Sequence, residues 1–134
     1  MEKVKLQAQY SLYINGEWRN ASDGATYNAE SPADGSHLAI CAQGTREDVE
    51  AASAAAWEAF KTWKKTTPAQ RAALLNKIAD IIDANKEHLA MVESMDNGKP
   101  IRETMNVDIP MAAEHFRYFA GCILAEEGQA SLLH

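Results

Sequence analysis

The sequence predicts an α/β fold in which an N-terminal β-hairpin and short strands, over about residues 11–44, precede about four packed helices over 45–128. Three observations point there. The first third is punctuated by the turn dipeptides Asn15-Gly16, Asp23-Gly24 and Asp34-Gly35, with short extended runs between them. From Thr45 onward, apolar residues recur at steps of three and four. Finally, 134 residues at 46% hydrophobic and 24% charged make one domain able to fold, with no length for a second.

Leu12 and Ile14 alternate ahead of Asn15-Gly16, a strong two-residue hairpin signal, and Glu17-Trp18-Arg19 supplies the returning strand. Asp23-Gly24 marks a further turn, and Thr26-Tyr27 reads as extended. In Ser31-Pro32-Ala33-Asp34-Gly35 a fixed proline torsion precedes a glycine free to take positive φ. Leu38-Ala39-Ile40-Cys41-Ala42 then reads as a strand short enough to be covered on both faces.

The first helix is expected from Thr45 to about Lys64. The Thr45 hydroxyl can cap free amides, Asp48 lies three residues on as a short capping box, and Glu47 and Asp48 suit the positive end of the helix dipole. Val49, Ala52, Ala56, Phe60 and Trp63 form a narrow stripe that should face a core. Thr67-Pro68-Ala69-Gln70 starts the second helix with cap, N1 proline and box, and Leu74, Leu75, Ile78, Ile81 and Ile82 form its apolar face. Asn85 interrupts that stripe as a break or cap. A third helix carries Leu89, Val92 and Met95 and stops at Asn97-Gly98, with Pro100 beyond. Ile101 to Asn106 allows a short helical turn. Pro110 disfavours helical torsions at Ile109, so the fourth helix is expected to start near Asp108 as its cap, to bury Ala112, Phe116, Phe119, Ala120 and Ile123, and to end by Gly128.

Charge and composition narrow the partners. A formal net charge of −6 works against nucleic acid, which demands clustered Lys and Arg. Met1 to Tyr10 lacks the apolar core of a signal peptide, and no apolar run approaches the roughly 18 residues of a membrane span, so a cytoplasmic location is expected. Cys41 and Cys122 show no metal-ligand spacing and read as buried thiols.

The residues with reactive side chains have plainer roles. His37, His88, His115 and His134 are too scattered for a metal. Cys122 sits on a helix with acids after it, the reverse of what lowers a thiol pKa, and Cys41 lies in a strand. No glycine-rich phosphate loop occurs, so no cofactor-binding residue is assigned. Lys99 could reach an anion or complement a helix C-terminus. Glu103 and Asp108 do not make a convincing carboxylate pair, and Lys61, Lys64 and Lys65 beside Trp57 and Trp63 read as a solvated helix end.

Five pieces nevertheless stand in a telling order: Tyr13-Ile14-Asn15-Gly16-Glu17-Trp18, the Ser31 to Gly35 turn, Thr67-Pro68-Ala69-Gln70-Arg71, the run from Asp96-Asn97-Gly98-Lys99-Pro100 to Thr104, and His115-Phe116-Arg117-Tyr118-Phe119-Ala120-Gly121. In that register the chain resembles the N-terminal segment of the aldehyde dehydrogenase family, from about Tyr13 to Gly128. The run through Cys122 and Glu127 is further similar to the branch acting on acetaldehyde and other small aliphatic aldehydes.

The resemblance implies an α/β fragment, the front part of a Rossmann-like cofactor domain, with residues 1–134 a partial cofactor-binding domain. In the family a cysteine thiolate attacks the aldehyde, hydride passes to NAD or NADP, and water activated by a glutamate releases the acid. Those residues belong to segments beyond the resemblance. Neither Cys41 nor Cys122 matches the catalytic cysteine, so no catalytic residue is assigned and this chain alone is expected to be inactive and to bind no cofactor. One position carries over: Asp108, implied to lie near a monovalent cation with carbonyls around Ala29 and Glu30, although a helix cap also accounts for it. The expected partner is the remainder of an aldehyde dehydrogenase, or a second copy of the chain through exposed apolar helix faces. The alternative is a non-catalytic interaction or scaffold module derived from that family.

Overall fold

The computed structural model describes residues 4–128 and builds two small sheets before a helical array. β2 (Leu12–Ile14) and β3 (Glu17–Arg19) form the expected antiparallel hairpin. Asn15 at φ 55° and Gly16 at φ 82° both take the left-handed conformation that matches a two-residue turn to the strand twist. Tyr13 and Trp18, opposite each other across the hairpin, hold ring centroids 4.9 Å apart.

The second sheet has the order β1-β5-β4, with β1 (Gln9–Tyr10) parallel and β4 (Thr26–Glu30) antiparallel to the central β5 (His37–Ala42). β1 lies before the stretch expected to be extended. Two residues joined to a strand about thirty positions away carry no local pattern. β5 also differs from expectation, since Ala39 is buried while the next residue, Ile40, is exposed. A three-stranded sheet backed on one side leaves its second face to water. The Ser31 to Ser36 reversal is closed by Ser31 N–H to the Ser36 carbonyl at 2.9 Å and Gly35 N–H to the Ser31 carbonyl at 2.8 Å.

α1 (Arg46–Trp63) and α2 (Pro68–Ala84) start as read, each with a complete capping box, Thr45 with Asp48 and Thr67 with Gln70. Asn85 ends α2, and its side-chain amide donates back to the Ile81 carbonyl at 2.8 Å. α3 (Lys86–Asn97) follows directly and is stopped by Gly98 at φ 77°.

The chain then departs from expectation. A helical turn, α4 (Ile101–Glu103), runs through a π-helical turn (Thr104–Asp108) straight into α5 (Ile109–Ala125). Ile109 keeps helical torsions despite the proline after it, and Asp108 is helical with no side-chain capping bond. The π turn supplies the reason. Its extra residue shifts the ladder, so that Ile109 N–H reaches the Thr104 carbonyl and Pro110 enters at a register where no N–H is required. At the other end α5 stops at Ala125, where Glu126 turns extended, ahead of Gly128.

The helical core is α2 on α5, and alanines carry it. Ala72 and Ala79 of α2 and Ala113 and Ala120 of α5 are buried, beside half-buried Leu75, Ile78, Ile82, Phe116 and Ile123. Small residues let the two axes approach closely. The broader stripes expected for these helices therefore split, and Leu74, Ile81 and Phe119 are exposed. Arg117 spans the pair from above, donating to Asp80 at 2.9 Å and Asp83 at 2.7 Å. The α1 stripe departs most. Val49 is 63% exposed, and Phe60 and Trp63 are 45% and 44% exposed, so the only fully buried residue of the helix is Asp48.

Candidate functional site

Two of the recognised motifs, the Ser31 to Gly35 turn and the run from Asp96 to Thr104, come together, but as architecture. Gly98 packs so closely under the Ser31 to Gly35 turn that an added Cβ would lie 2.9 Å from Pro32 Cγ, in addition to the strain of its positive φ. The Lys99 amide donates to Asn97 Oδ1 at 2.8 Å, and the Ser94 hydroxyl donates to the Lys99 carbonyl. The Thr104 hydroxyl, fully buried, donates to the Ala90 carbonyl at 2.9 Å and ties the π turn to α3. These two motif pieces thus secure a helix end and a close approach.

Lys99 reaches Asp108 across this junction, Nζ to Oδ2 at 2.5 Å. The anion that Lys99 reaches is thus a carboxylate of the chain itself. The Asp108 carboxylate, with Glu93 and Glu103 around it, raises the lysine's proton affinity above its ordinary value. Glu103 is taken up by Arg102, so Glu103 and Asp108 do not act as a carboxylate pair.

A second junction was only half legible. Asp48 is 2% exposed, and its Oδ2 accepts from the amides of Thr45 and Ser22, each at 3.0 Å, and from both their hydroxyls. These donors, Thr45 first and Ser22 second, hold its carboxyl below the usual carboxylate range. Oδ1 has no hydrogen-bond partner, and Arg19 approaches it at 3.7 Å. The box spacing predicts Asp48 as a cap. The contribution of Ser22 and Arg19, more than twenty residues upstream, leaves no local signal.

The histidines do not converge. His37, His88 and His115 are exposed on separate elements, His134 lies outside the described residues, and among the described residues no three His, Cys, Asp or Glu side chains form a metal-holding group. Cys122 is exposed on α5 and Cys41 half-buried on β5, so neither is the deeply buried thiol expected. Each instead raises the proton affinity of a neighbouring phenol, Tyr118 and Tyr27 respectively. At the helix end, Lys61 pairs with Glu58 and Lys64 lies over the Phe60 ring at 5.7 Å.

A nicotinamide dinucleotide finds no fitting cradle among the described residues. The positive-φ glycines, Gly16, Gly24, Gly35 and Gly98, serve turns and one helix stop, and the α1 N-terminus is filled by the chain's own Asp48 carboxylate. What the surface offers is apolar. A cleft of about 430 Å³ lies between the β1-β5-β4 sheet and α3, walled by Leu38, Ala39, Leu89, Val92 and Ile109. Leu74, Ile81, Met111, Tyr118, Phe119 and Leu124 are exposed on α2 and α5. Among the described residues no helix is long and apolar enough to cross a membrane.

The sequence and the fold match known proteins closely. The family model described as "Aldehyde dehydrogenase family" matches residues 18–132. The chain belongs to the aldehyde dehydrogenase family. It is 46% identical over 129 residues to a long-chain-aldehyde dehydrogenase of Acinetobacter sp, covering 96% of this chain and 26% of the relative. Acetaldehyde dehydrogenase 2 of Cupriavidus necator is 46% identical over 123 residues, covering 92% of this chain and 24% of that protein. The crystal structure of PnpE in complex with nicotinamide adenine dinucleotide superposes with a TM-score of 0.90 at 40% identity, covering 94% of this chain and 26% of that one. The chain thus spans about a quarter of the length of these dehydrogenases, and it corresponds to the N-terminal part of their fold.

Proposed function

We propose that this aldehyde dehydrogenase chain supplies the front of a nucleotide-binding domain, and that the rest of such an enzyme covers its open apolar surfaces. The observation that carries the reading is the pairing of close family likeness with coverage of about a quarter of the relatives, 26% for the first. Motif residues spent on helix junctions, and an apolar cleft left open, support it. The assembled enzyme would oxidise aldehydes to carboxylic acids with NAD or NADP, in the cytoplasm. NAD is favoured by the structural likeness to PnpE, which was crystallised with nicotinamide adenine dinucleotide. Among relatives, the names acetaldehyde dehydrogenase and long-chain-aldehyde dehydrogenase both occur at 46% identity. Small aliphatic aldehydes are proposed as substrates on the similarity of the run through Cys122 and Glu127 to the acetaldehyde branch.

The proposal extends to Asp108 as a carboxylate near a monovalent cation. In the chain by itself the residues present do not fit one, because the Lys99 ammonium already matches that carboxylate.

The test uses the chain alone and then supplied with the remaining segment of the Cupriavidus necator relative. Alone, it is expected to give no acetaldehyde-dependent NADH and no calorimetric NAD binding, while the supplied form gives NADH. Acetaldehyde-dependent NADH from the chain alone, abolished by Cys122→Ser, would overturn the proposal.

A further inference from the structure

The π turn between α4 and α5 is gripped at both ends by the same neighbour. Its first residue, Thr104, is fully buried and donates its hydroxyl to the Ala90 carbonyl of α3 at 2.9 Å. Its last, Asp108, accepts from Lys99, which stands directly after the Gly98 stop of α3. Glu93 and Glu103 also lie near Lys99, but Arg102 holds Glu103, and Asp108 is the carboxylate in direct contact. Between the two grips the ladder widens, and Ile109 N–H reaches back to the Thr104 carbonyl. Such a turn takes up one residue more than the α turn it replaces.

That extra residue decides which side of α5 faces α2. With an α turn in its place the helix would wind about 100° further, and Ala112 and Phe119 would stand at the angles that Ala113 and Ala120 now hold. Hydrophobicity alone selects the stripe with Phe119 in it. The structure has the other: Ala113 and Ala120 are buried against α2, and Phe119 is 58% exposed. Proline does not account for the choice by itself. Pro110 needs a position where no N–H is required, and any interruption of the ladder ahead of it, a fresh helix start included, would provide one.

We propose that α3 is a register lock for α5: through Thr104 and Lys99 it holds the π turn open, and so sets the small face of α5 on α2 and turns Met111, Tyr118 and Phe119 outward. Lys99 and Thr104 are then positioning residues, acting on the outward side of α5 through the turn. The lock belongs to this chain by itself. Only the purpose of the outward residues, to meet the rest of an enzyme, rests on the reading above.

The experiment is NMR on the full isotope-labelled chain, reading the scalar coupling across the hydrogen bond of the Ile109 amide. The coupling partner is the Thr104 carbonyl carbon in the π register and that of Met105 in an α register. The parent and P110A are both expected to show the Thr104 coupling, because both keep the grips. In K99M/T104V/P110A the coupling should move to Met105. A parent or a P110A chain that couples to Met105 overturns the proposal, the latter because proline would then impose the turn. So does a triple variant that keeps Thr104, since packing on α2 would then set the phase. K99M and T104V with Pro110 in place decide the matter if the triple variant does not fold. In each, the Ile109 amide should exchange about tenfold faster while the amides of α2 keep the parent rate, and K99R should exchange like the parent. Ile109 exchange unchanged in K99M and T104V, or K99R as fast as K99M, overturns the proposal. None of these readouts depends on NADH production, so the proposed enzyme role and the lock can fail separately.

Discussion

α1 and α2 begin alike and end in opposite circumstances. Both open on a threonine cap with a complete box, and they differ in length by one residue, 18 against 17. α2 lays Ala72 and Ala79 into α5, whereas α1 buries little beyond its own cap residue Asp48. Start signals are local chemistry and work wherever the chain is helical. Packing needs a partner surface, and for α1 the described residues provide mainly the edge of a hairpin strand.

The contrast is broken most forcefully by overfilling the packed helix. Ala79→Leu inserts three carbons where the site is 0% exposed and should cost about 1–3 kcal/mol, read as a lowered midpoint in urea. Ala56→Leu, its counterpart in α1, should stay within about 0.5 kcal/mol. Equal losses would mean that α1 is packed after all.

Removing the caps sharpens the comparison at about 1 kcal/mol each. Thr67→Ala is expected to lower global stability, because α2 belongs to the core. Thr45→Ala should instead increase local opening of α1 in hydrogen exchange, with a smaller change in the global midpoint.

Asp48 adds a pH dependence to the α1 end alone. Its folded pKa is depressed, so its contribution is complete above the unfolded value of about 3.9 and is lost as pH falls through the folded one. The hairpin should therefore loosen from α1 in acid, reported by Trp18 fluorescence. Asp48→Asn should weaken the junction at neutral pH and remove this acid step. The smallest effect belongs to Phe60→Ala at dilute concentration, within about 0.5 kcal/mol, where a buried phenylalanine would cost about 3–5.

The sequence made the local devices legible: the Asn15-Gly16 turn, both capping boxes, the Gly98 stop and the break at Asn85. Each is decided within a few residues. It did not disclose β1, whose partner β5 is distant, or the π turn that lets Pro110 follow a helical Ile109. Nor did hydrophobicity tell which apolar residues are covered. Phe119 and Val49 satisfy a helical stripe but are exposed, while Ala72 and Ala113 are buried because close helix approach favours small side chains. At the junctions, Asn97 and Gly98 were legible as a stop. The Lys99–Asp108 and Ser22–Asp48 contacts join positions on different elements and required the fold.

Native-state hydrogen exchange of the full chain at low micromolar concentration tests most directly the claim that the α2 and α5 core stands by itself while α1 is held chiefly at its N-terminal end. Amides of α2 and α5 should be protected to the level of global unfolding, and those of α1 beyond its first turn should exchange much faster. Protection of Ala52 to Trp63 equal to that of Ala72 to Ile82 would contradict it.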